Sequence, residues 1–134
     1  MTVFKHVFTV PANTPSNNLH QEKVQIEGEM LTEIRVRIPP GHAGLAYMRI
    51  RYGSEQWWPK PEGKWLSGDD EIIIIQDNWQ LPEYKTNLTL EGYNLDTTYA
   101  HSFHILITVK SLEDAKPLDI LRDFVKILKK LLGV

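Results

Sequence analysis

Cysteine is absent from this chain of 134 residues. Disulfides, thiolate catalysis and cysteine-ligated zinc are therefore excluded by composition alone. The sequence also has no apolar run near the ~18 residues that a membrane-spanning helix needs. Neither sign of charge dominates, with 15 Lys and Arg against 17 Asp and Glu. Because phosphate binding requires clustered basic side chains, we expect no nucleic-acid partner.

Familiar catalytic motifs are missing as well: there is no Gly-x-Gly-x-x-Gly, P-loop, Gly-x-Ser-x-Gly or His-Glu-x-x-His. His101 and His104 have the look of a metal pair, but residues three apart on a strand point to opposite faces of the sheet. His42 falls in a tight turn and is predicted to lie at the surface. The acidic run at 69–71 offers oxygen ligands of the calcium type, yet three consecutive acids do not make a cage. We predict no enzyme activity, no metal and no cofactor.

Strict alternation of apolar and polar residues, the pattern of a half-buried strand, runs through much of the chain. The Pro-Pro-Gly link at 39–44 predicts a hairpin between its two neighbouring strands, and the apolar run at 71–75 predicts a strand covered on both faces. Seven or eight short strands bounded by turns indicate a mainly β protein, an antiparallel β-sandwich or jelly roll, over residues 1–110. The predicted strands cover 3–10, 23–29, 31–38, 45–52, 71–75, 88–92 and 99–109.

The last segment, residues 111–134, changes to a helical period. Phe124, Ile127 and Leu131 widen its apolar stripe to about half of the circumference, which is more than packing on one sheet face usually needs. We therefore predict an amphipathic helix packed on the sandwich or on a partner, with these three residues as partner contacts. Its lysines would also suit a membrane surface, but two aspartates dilute the positive face, so we predict no membrane binding. The heptad positions are Leu118, Leu121, Val125, Leu128 and Leu132.

Three of the four tryptophans, Trp57, Trp58 and Trp65, fall in a stretch at 53–70 that contains proline and glycine and has little periodicity. Loops of this length in compact domains are usually functional. The tryptophans could close one end of the sandwich as a lid, anchor a protein interface, or stack on sugar rings. The first two alternatives rank equally, and the third would also draw on Trp79.

Five segments of the sequence resemble small structural proteins of tailed phages and related viruses. In that group a strand leads to a Pro-Pro-Gly turn, a loop with an aromatic-Pro element follows, and a W-x-x-G-D-D segment begins the next strand. The resemblance covers residues 3–109 and implies a jelly-roll-like virion component, such as a capsid decoration protein, with no catalytic residues carried over. The segments are VPANTP (10–15), IRVRIPPGHAGLAYMRIRYG (34–53), QWWP (56–59), WLSGDDEIII (65–74) and LEGYNLDTTYAHSFHILITV (90–109).

We therefore expect a non-catalytic structural or assembly protein, a homo-oligomer that binds a capsid lattice protein or further copies of itself. The 53–70 loop and the C-terminal helix are the predicted contact regions. The alternative is a carbohydrate-binding module that uses the loop tryptophans. The N-terminal residues alternate instead of forming the continuous apolar core of a signal peptide, which agrees with assembly into a virion in the host cytoplasm.

Overall fold

In the computed structural model the described residues are 1–111 and 117–133, with helix residues 117–123 described as backbone only. These residues form eight strands and one helix. In chain order they are β1 (Thr2–Val10), β2 (His20–Glu27), β3 (Met30–Ile38), β4 (Ala46–Tyr52), β5 (Glu55–Trp58), β6 (Glu71–Gln80), β7 (Lys85–Asn94), β8 (His101–Lys110) and α1 (Pro117–Leu132).

The strands form two four-stranded sheets in which all neighbours are antiparallel. Sheet A has the order β1-β8-β3-β6, and sheet B has the order β2-β7-β4-β5. Two sheets of this kind, with strands from both ends of the chain interleaved, make a jelly roll. The predicted mainly β sandwich is therefore confirmed, with eight strands.

The core lies between the two sheets and follows the alternation of the strands. On β8, Phe103, Ile105 and Ile107 are fully buried, while His104 between them is exposed. Sheet B contributes the inward residues of β4 and β7 to the same cluster. Burying one such side chain stabilises the fold by ~1.5–3 kcal/mol, so this shared cluster is what holds the two sheets together.

The link at 39–44 does not close a hairpin, and that prediction is wrong. β3 belongs to sheet A and pairs with β6 and β8, whereas β4 belongs to sheet B and pairs with β5 and β7. The link carries the chain from one sheet to the other, and the inward residues of β3 and β4 belong to the same core cluster. A strand shows the same alternation of apolar and polar residues whether the next strand pairs with it or lies in the opposite sheet. The alternation and the short link therefore could not distinguish a hairpin from a crossing between sheets.

The prediction of a strand covered on both faces at 71–75 is also wrong. β6 is an edge strand of sheet A, and its outward residues Ile72 and Ile74 are 54% and 49% exposed. β6 also continues to Gln80, beyond the predicted end. The 53–70 stretch differs from the prediction too, because it begins with a short strand, β5, that pairs with β4.

The C-terminal segment contains helix α1, in agreement with the predicted change of period. Residues 112–116 and 134 of that segment lie outside the described residues. No helix in the described ranges has the length and hydropathy required to cross a bilayer.

Candidate functional site

Helix α1 presents an apolar stripe that the described part of the chain leaves uncovered. Residues 124–133 are all exposed. Helical spacing places Phe124, Ile127, Leu128 and Leu131 on one side of the helix, and they are 58%, 58%, 41% and 78% exposed. The three predicted partner contacts are therefore among these four neighbours, and this part of the helix does not pack on the sandwich.

The outer face of sheet A, which is the side turned away from the core, carries a second apolar surface. Ile72 and Ile74 lie on one edge strand, and Val3 and Val7, 49% and 51% exposed, lie on the other. Leu106 lies between them on the central strand β8. A groove of about 450 Å³ runs over this face. Exposed apolar side chains gathered in this way are typical of an interaction surface.

Basic side chains alternate with the apolar ones on the outer face of sheet A. The strand register places Lys5 opposite Leu106 and Leu106 opposite Arg35. In the next row His104 lies opposite Arg37. All four basic residues line the same groove. We call the end of this face that holds Arg37 and His104 the basic end; it lies beside the β3–β4 link.

Two carboxylates accompany these basic residues. Arg35 Nε lies 3.0 Å from Glu33 Oε2, and Arg37 Nη2 lies 3.9 Å from Asp70 Oδ1. The hydrogen bond from Arg35 holds the pKa of Glu33 below its ordinary value. Ion pairs with this degree of exposure contribute little to stability. With Lys5 included, three cationic side chains face two carboxylates, so the groove keeps a positive charge.

Trp57 and Trp58 lie on β5 and not in an open loop, and both are half-buried against the core. Trp57 stacks on Trp79 of β6 with 4.7 Å between ring centroids. A cleft of about 410 Å³ beside them is also lined by Lys60 and Asp77. The stack joins an edge strand of sheet B to an edge strand of sheet A, which is the geometry of the lid alternative.

We expect Trp57→Ala to lower the free energy of unfolding by about 2–4 kcal/mol, because it removes a half-buried aromatic side chain together with its stacking contact. Tyr84→Ala is the matched control, since Tyr84 is 58% exposed. Urea unfolding followed by circular dichroism measures both variants. An unchanged stability in Trp57→Ala would mean that this tryptophan is kept for binding and does not act as a lid.

Trp65 lies apart from the other two loop tryptophans, on the outer face of sheet B. Its ring meets Tyr93 edge to face at 4.8 Å, and Tyr93 stacks on Tyr47 at 4.5 Å. The Arg49 guanidinium lies 4.3 Å from the centre of the Trp65 ring. The predicted set Trp57, Trp58 and Trp65 is therefore not brought together on one surface.

The aromatic patch on sheet B surrounds a buried carboxylate. Glu91 is 5% exposed. The Nε atoms of Arg49 and Arg51 lie 3.4 and 3.2 Å from its Oε1, and Gln21 Nε2 donates to its Oε2 at 3.0 Å. A buried charge needs this number of partners, because an unpaired carboxylate inside a protein is costly. The cluster therefore fixes the positions of β2, β4 and β7 relative to each other.

His42 is 1% exposed, so its predicted surface position is wrong. The β3–β4 link turns its ring inward, where it lies 4.6 Å from the His101 ring and donates from Nε2 to the Ser102 carbonyl oxygen at 2.8 Å. His101 in turn lies 2.8 Å from Asp96 Oδ2. His104 points to the opposite face, as predicted for the histidine pair. Within the described chain, no group of three or more acidic or histidine side chains could hold a metal ion.

Burial lowers the pKa of His42, and the hydrogen bond to Ser102 opposes this only in part. The folded state thus favours the neutral ring, and the stabilisation is complete above the unfolded histidine pKa of about 6.5. It is lost as the pH falls from there toward the lower folded pKa. The other ionisable groups around the ring are Asp69, His101 and His104.

We therefore expect the free energy of unfolding to decrease between pH 7 and pH 5.5, and His42→Gln to flatten that decrease while keeping a donor for Ser102. His104→Gln, at an exposed site, is the control and should leave the slope unchanged. Urea titrations at four pH values measure the slopes. Equal slopes in the natural chain and His42→Gln would show that another group controls the acid response.

No family model matches this chain, and no curated protein does. Among solved structures, this chain is similar to the Yersinia pseudotuberculosis-derived mitogen, with 12% identity, a TM-score of 0.41, and coverage of 86% of this chain and 89% of that one.

The sequence did not indicate three features of the structure. They are the apolar and basic outer face of sheet A, the buried Glu91 cluster, and the contact between the rings of His42 and His101. The sequence does contain the residues of the outer face of sheet A: Arg35 and Arg37 alternate with inward residues of β3, and the isoleucine run supplies Ile72 and Ile74. They could not be combined without knowing which strands are neighbours. The other two depend on contacts between residues far apart in the sequence.

Proposed function

We propose that this protein is a non-catalytic assembly domain that associates with further copies of itself through helix α1. The observation that carries the proposal is the exposed stripe of Phe124, Ile127, Leu128 and Leu131 beside a sandwich whose core is already closed. Fully burying one such side chain is worth ~1.5–3 kcal/mol, so a stripe of four provides a strong drive for association. A helix of this length is also marginal alone in water, and a partner would stabilise it.

A role as a decoration or minor component of a virion is the narrower form of this proposal. It is supported by the sequence resemblance described above and by the jelly-roll fold, which occurs in viral capsid proteins among many others. Such components act by burying surface against a symmetric lattice, so one exposed helix per copy suits the role.

The test compares two double variants of the helix. Ile127→Asp with Leu131→Asp places charges on the apolar stripe, and Lys126→Asp with Lys129→Asp places the same side chains on the opposite face. Light scattering over a range of concentrations should give an oligomer for the natural chain and the lysine variant, and a monomer for the stripe variant. The stripe variant should unfold at the same temperature as the natural chain does at concentrations low enough for it to be monomeric.

Two results would overturn the proposal. One is a natural chain that stays monomeric at every concentration. The other is a stripe variant whose sandwich unfolds at a much lower temperature, because the helix would then pack on its own sandwich in solution.

A further inference from the structure

We infer that the cleft between β5 and β6 binds carbohydrate, with a neutral sugar ring stacked against indole rings and its hydroxyl groups bound by two charged side chains. This is a second activity, and it does not depend on the self-association proposed for helix α1. The cleft has a volume of about 410 Å³ and lies where an edge strand of sheet B meets an edge strand of sheet A. It is lined by Trp57, Trp58, Lys60, Ile75, Asp77 and Trp79.

Indole rings supply half of the residues that line the cleft. Three of the chain's four tryptophans meet here, and all three are half-buried, so part of each ring stays accessible. Trp57 stacks on Trp79 at 4.7 Å, and Tyr52 meets Trp79 edge to face at 5.9 Å. Rings held in this way lose little freedom when a ligand binds, which favours affinity. The flat C–H face of a pyranose ring is apolar and buries well against such rings.

Two charged side chains give the same cleft a polar part. Lys60 and Asp77 are both exposed and line the cleft together with the indoles. The Asp77 Oδ1 atom accepts a hydrogen bond from the Asn78 amide at 2.8 Å, which orients the carboxylate and leaves Oδ2 to accept from a ligand. The Lys60 ammonium group has three hydrogens to donate. Hydrogen bonds to charged groups are stronger than those between neutral groups, so a ligand with several hydroxyl groups is favoured.

The balance of charge and polarity in the cleft specifies the class of ligand. One ammonium group and one carboxylate cancel, so the lining attracts neither anions nor cations as a class. A purely apolar ligand would cover both charged groups without giving them a hydrogen-bond partner, which is costly. A neutral sugar has an apolar face for the indoles and hydroxyl groups for Lys60 and Asp77. The volume lies within the ~300–1,000 Å³ of ordinary small-molecule sites and has room for one or two sugar rings.

This site differs from the set of tryptophans that the sequence predicted for sugar binding. Trp65 is not part of it, because that ring lies on the outer face of sheet B with the Arg49 guanidinium 4.3 Å from its centre. Trp79, from β6, takes its place beside the two tryptophans of β5. The stack of Trp57 on Trp79 can close the edge of the sandwich and also form a rigid wall of the cleft. A role in stability and a role in binding are therefore compatible at this position.

The first part of the test uses the tryptophans as reporters. The four indole N–H groups give separate signals in a ¹H–¹⁵N correlation spectrum, and single Trp→Phe variants assign them. The natural chain is titrated with cellotetraose, maltotetraose, mannotetraose and chitotetraose up to ~10 mM, where a site with a Kd of ~1 mM is about nine-tenths occupied. We expect at least one of these neutral sugars to shift the signals of the cleft tryptophans and to leave that of Trp65 in place. No shift with any of them, or equal shifts of all four signals, would overturn the inference.

The second part removes the polar half of the cleft. Lys60→Ala with Asp77→Ala keeps the net charge and alters only exposed side chains, so the sandwich should stay folded, as circular dichroism would verify. We expect the affinity for the bound sugar to fall about tenfold or more, because hydrogen bonds to two charged groups are lost. Glu83→Ala with Lys85→Ala is the matched control, since these side chains are also exposed and lie outside the lining. Equal affinity in the cleft variant and the control would show that the sugar binds elsewhere and would overturn the inference.

The third part tests the predicted neutrality of the ligand. Tetragalacturonate has the same number of sugar rings but carries a carboxylate on each of them. We expect it to bind more weakly than the best neutral tetrasaccharide, because its charges lose hydration and the cleft has no surplus of positive charge to compensate. Tighter binding of tetragalacturonate than of every neutral tetrasaccharide would overturn the inference in favour of an anion site.

Discussion

Replacing Asn94 with alanine is expected to lower the free energy of unfolding by about 2–4 kcal/mol. The side chain is 1% exposed and satisfies three backbone groups. Nδ2 donates to the carbonyl oxygens of Val10 and Tyr99 at 3.3 and 2.9 Å, and Oδ1 accepts from the Asp96 amide at 2.9 Å. Alanine leaves all three groups without this partner at a site from which water is largely excluded.

The control for Asn94→Ala is Asn87→Ala on the same strand, where the side chain is exposed and the expected change is within about 0.5 kcal/mol. Chemical unfolding monitored by tryptophan fluorescence measures both variants. A loss below about 1 kcal/mol in Asn94→Ala would show that the β7–β8 connection keeps its shape without the amide.

Gly28→Ala should destabilise the protein by about 3–5 kcal/mol, for two separate reasons. The residue links β2 to β3 with φ +144°, a conformation in which side chains other than that of glycine are strained. A Cβ atom there would also lie 2.3 Å from Val109 Cγ1 and 3.3 Å from the Lys110 carbonyl oxygen. Val109 is part of the core, so it cannot move aside without loss of packing.

Gly63→Ala separates the two causes. Gly63 also has a positive φ, +90°, but a Cβ atom there would meet nothing within 4 Å. The expected loss is the backbone strain alone, about 1–3 kcal/mol. Differential scanning calorimetry of the two variants gives the difference. Equal losses at both sites would contradict the steric contribution at Gly28.

The strands could largely be predicted from the sequence because alternation records burial one residue at a time. β1, β3, β4 and β8 each have one face toward the core and one toward solvent. The resulting period of two can be recognised in the sequence without knowing which strands lie next to each other. The pairing of strands depends on contacts between distant segments, and it was there that the predicted hairpin at 39–44 was wrong. The run of isoleucines at 71–75 misled for a related reason, since the sequence does not show that β6 lies at an edge.

The candidate site was predictable only in part for the same physical reason. The helix stripe follows from the spacing of Phe124, Ile127 and Leu131 alone, and the structure leaves these residues exposed. The apolar and basic outer face of sheet A, by contrast, combines side chains from four strands that are far apart in the sequence. The tryptophans show the opposite effect, because Trp58 and Trp65 are seven positions apart but belong to different surfaces.

The strand order of sheet A also has a consequence for biosynthesis. β8 is made after the seven other described strands and pairs on one side with β1 and on the other with β3. Until residues 101–110 have left the ribosome, β1 and β3 both expose unpaired backbone edges, which invite pairing with other chains. Sheet A is therefore completed only after β8 has been made, and slowly, because its pairings close long stretches of chain. The yield of folded protein should depend on how well the incomplete nascent chain is shielded during that interval.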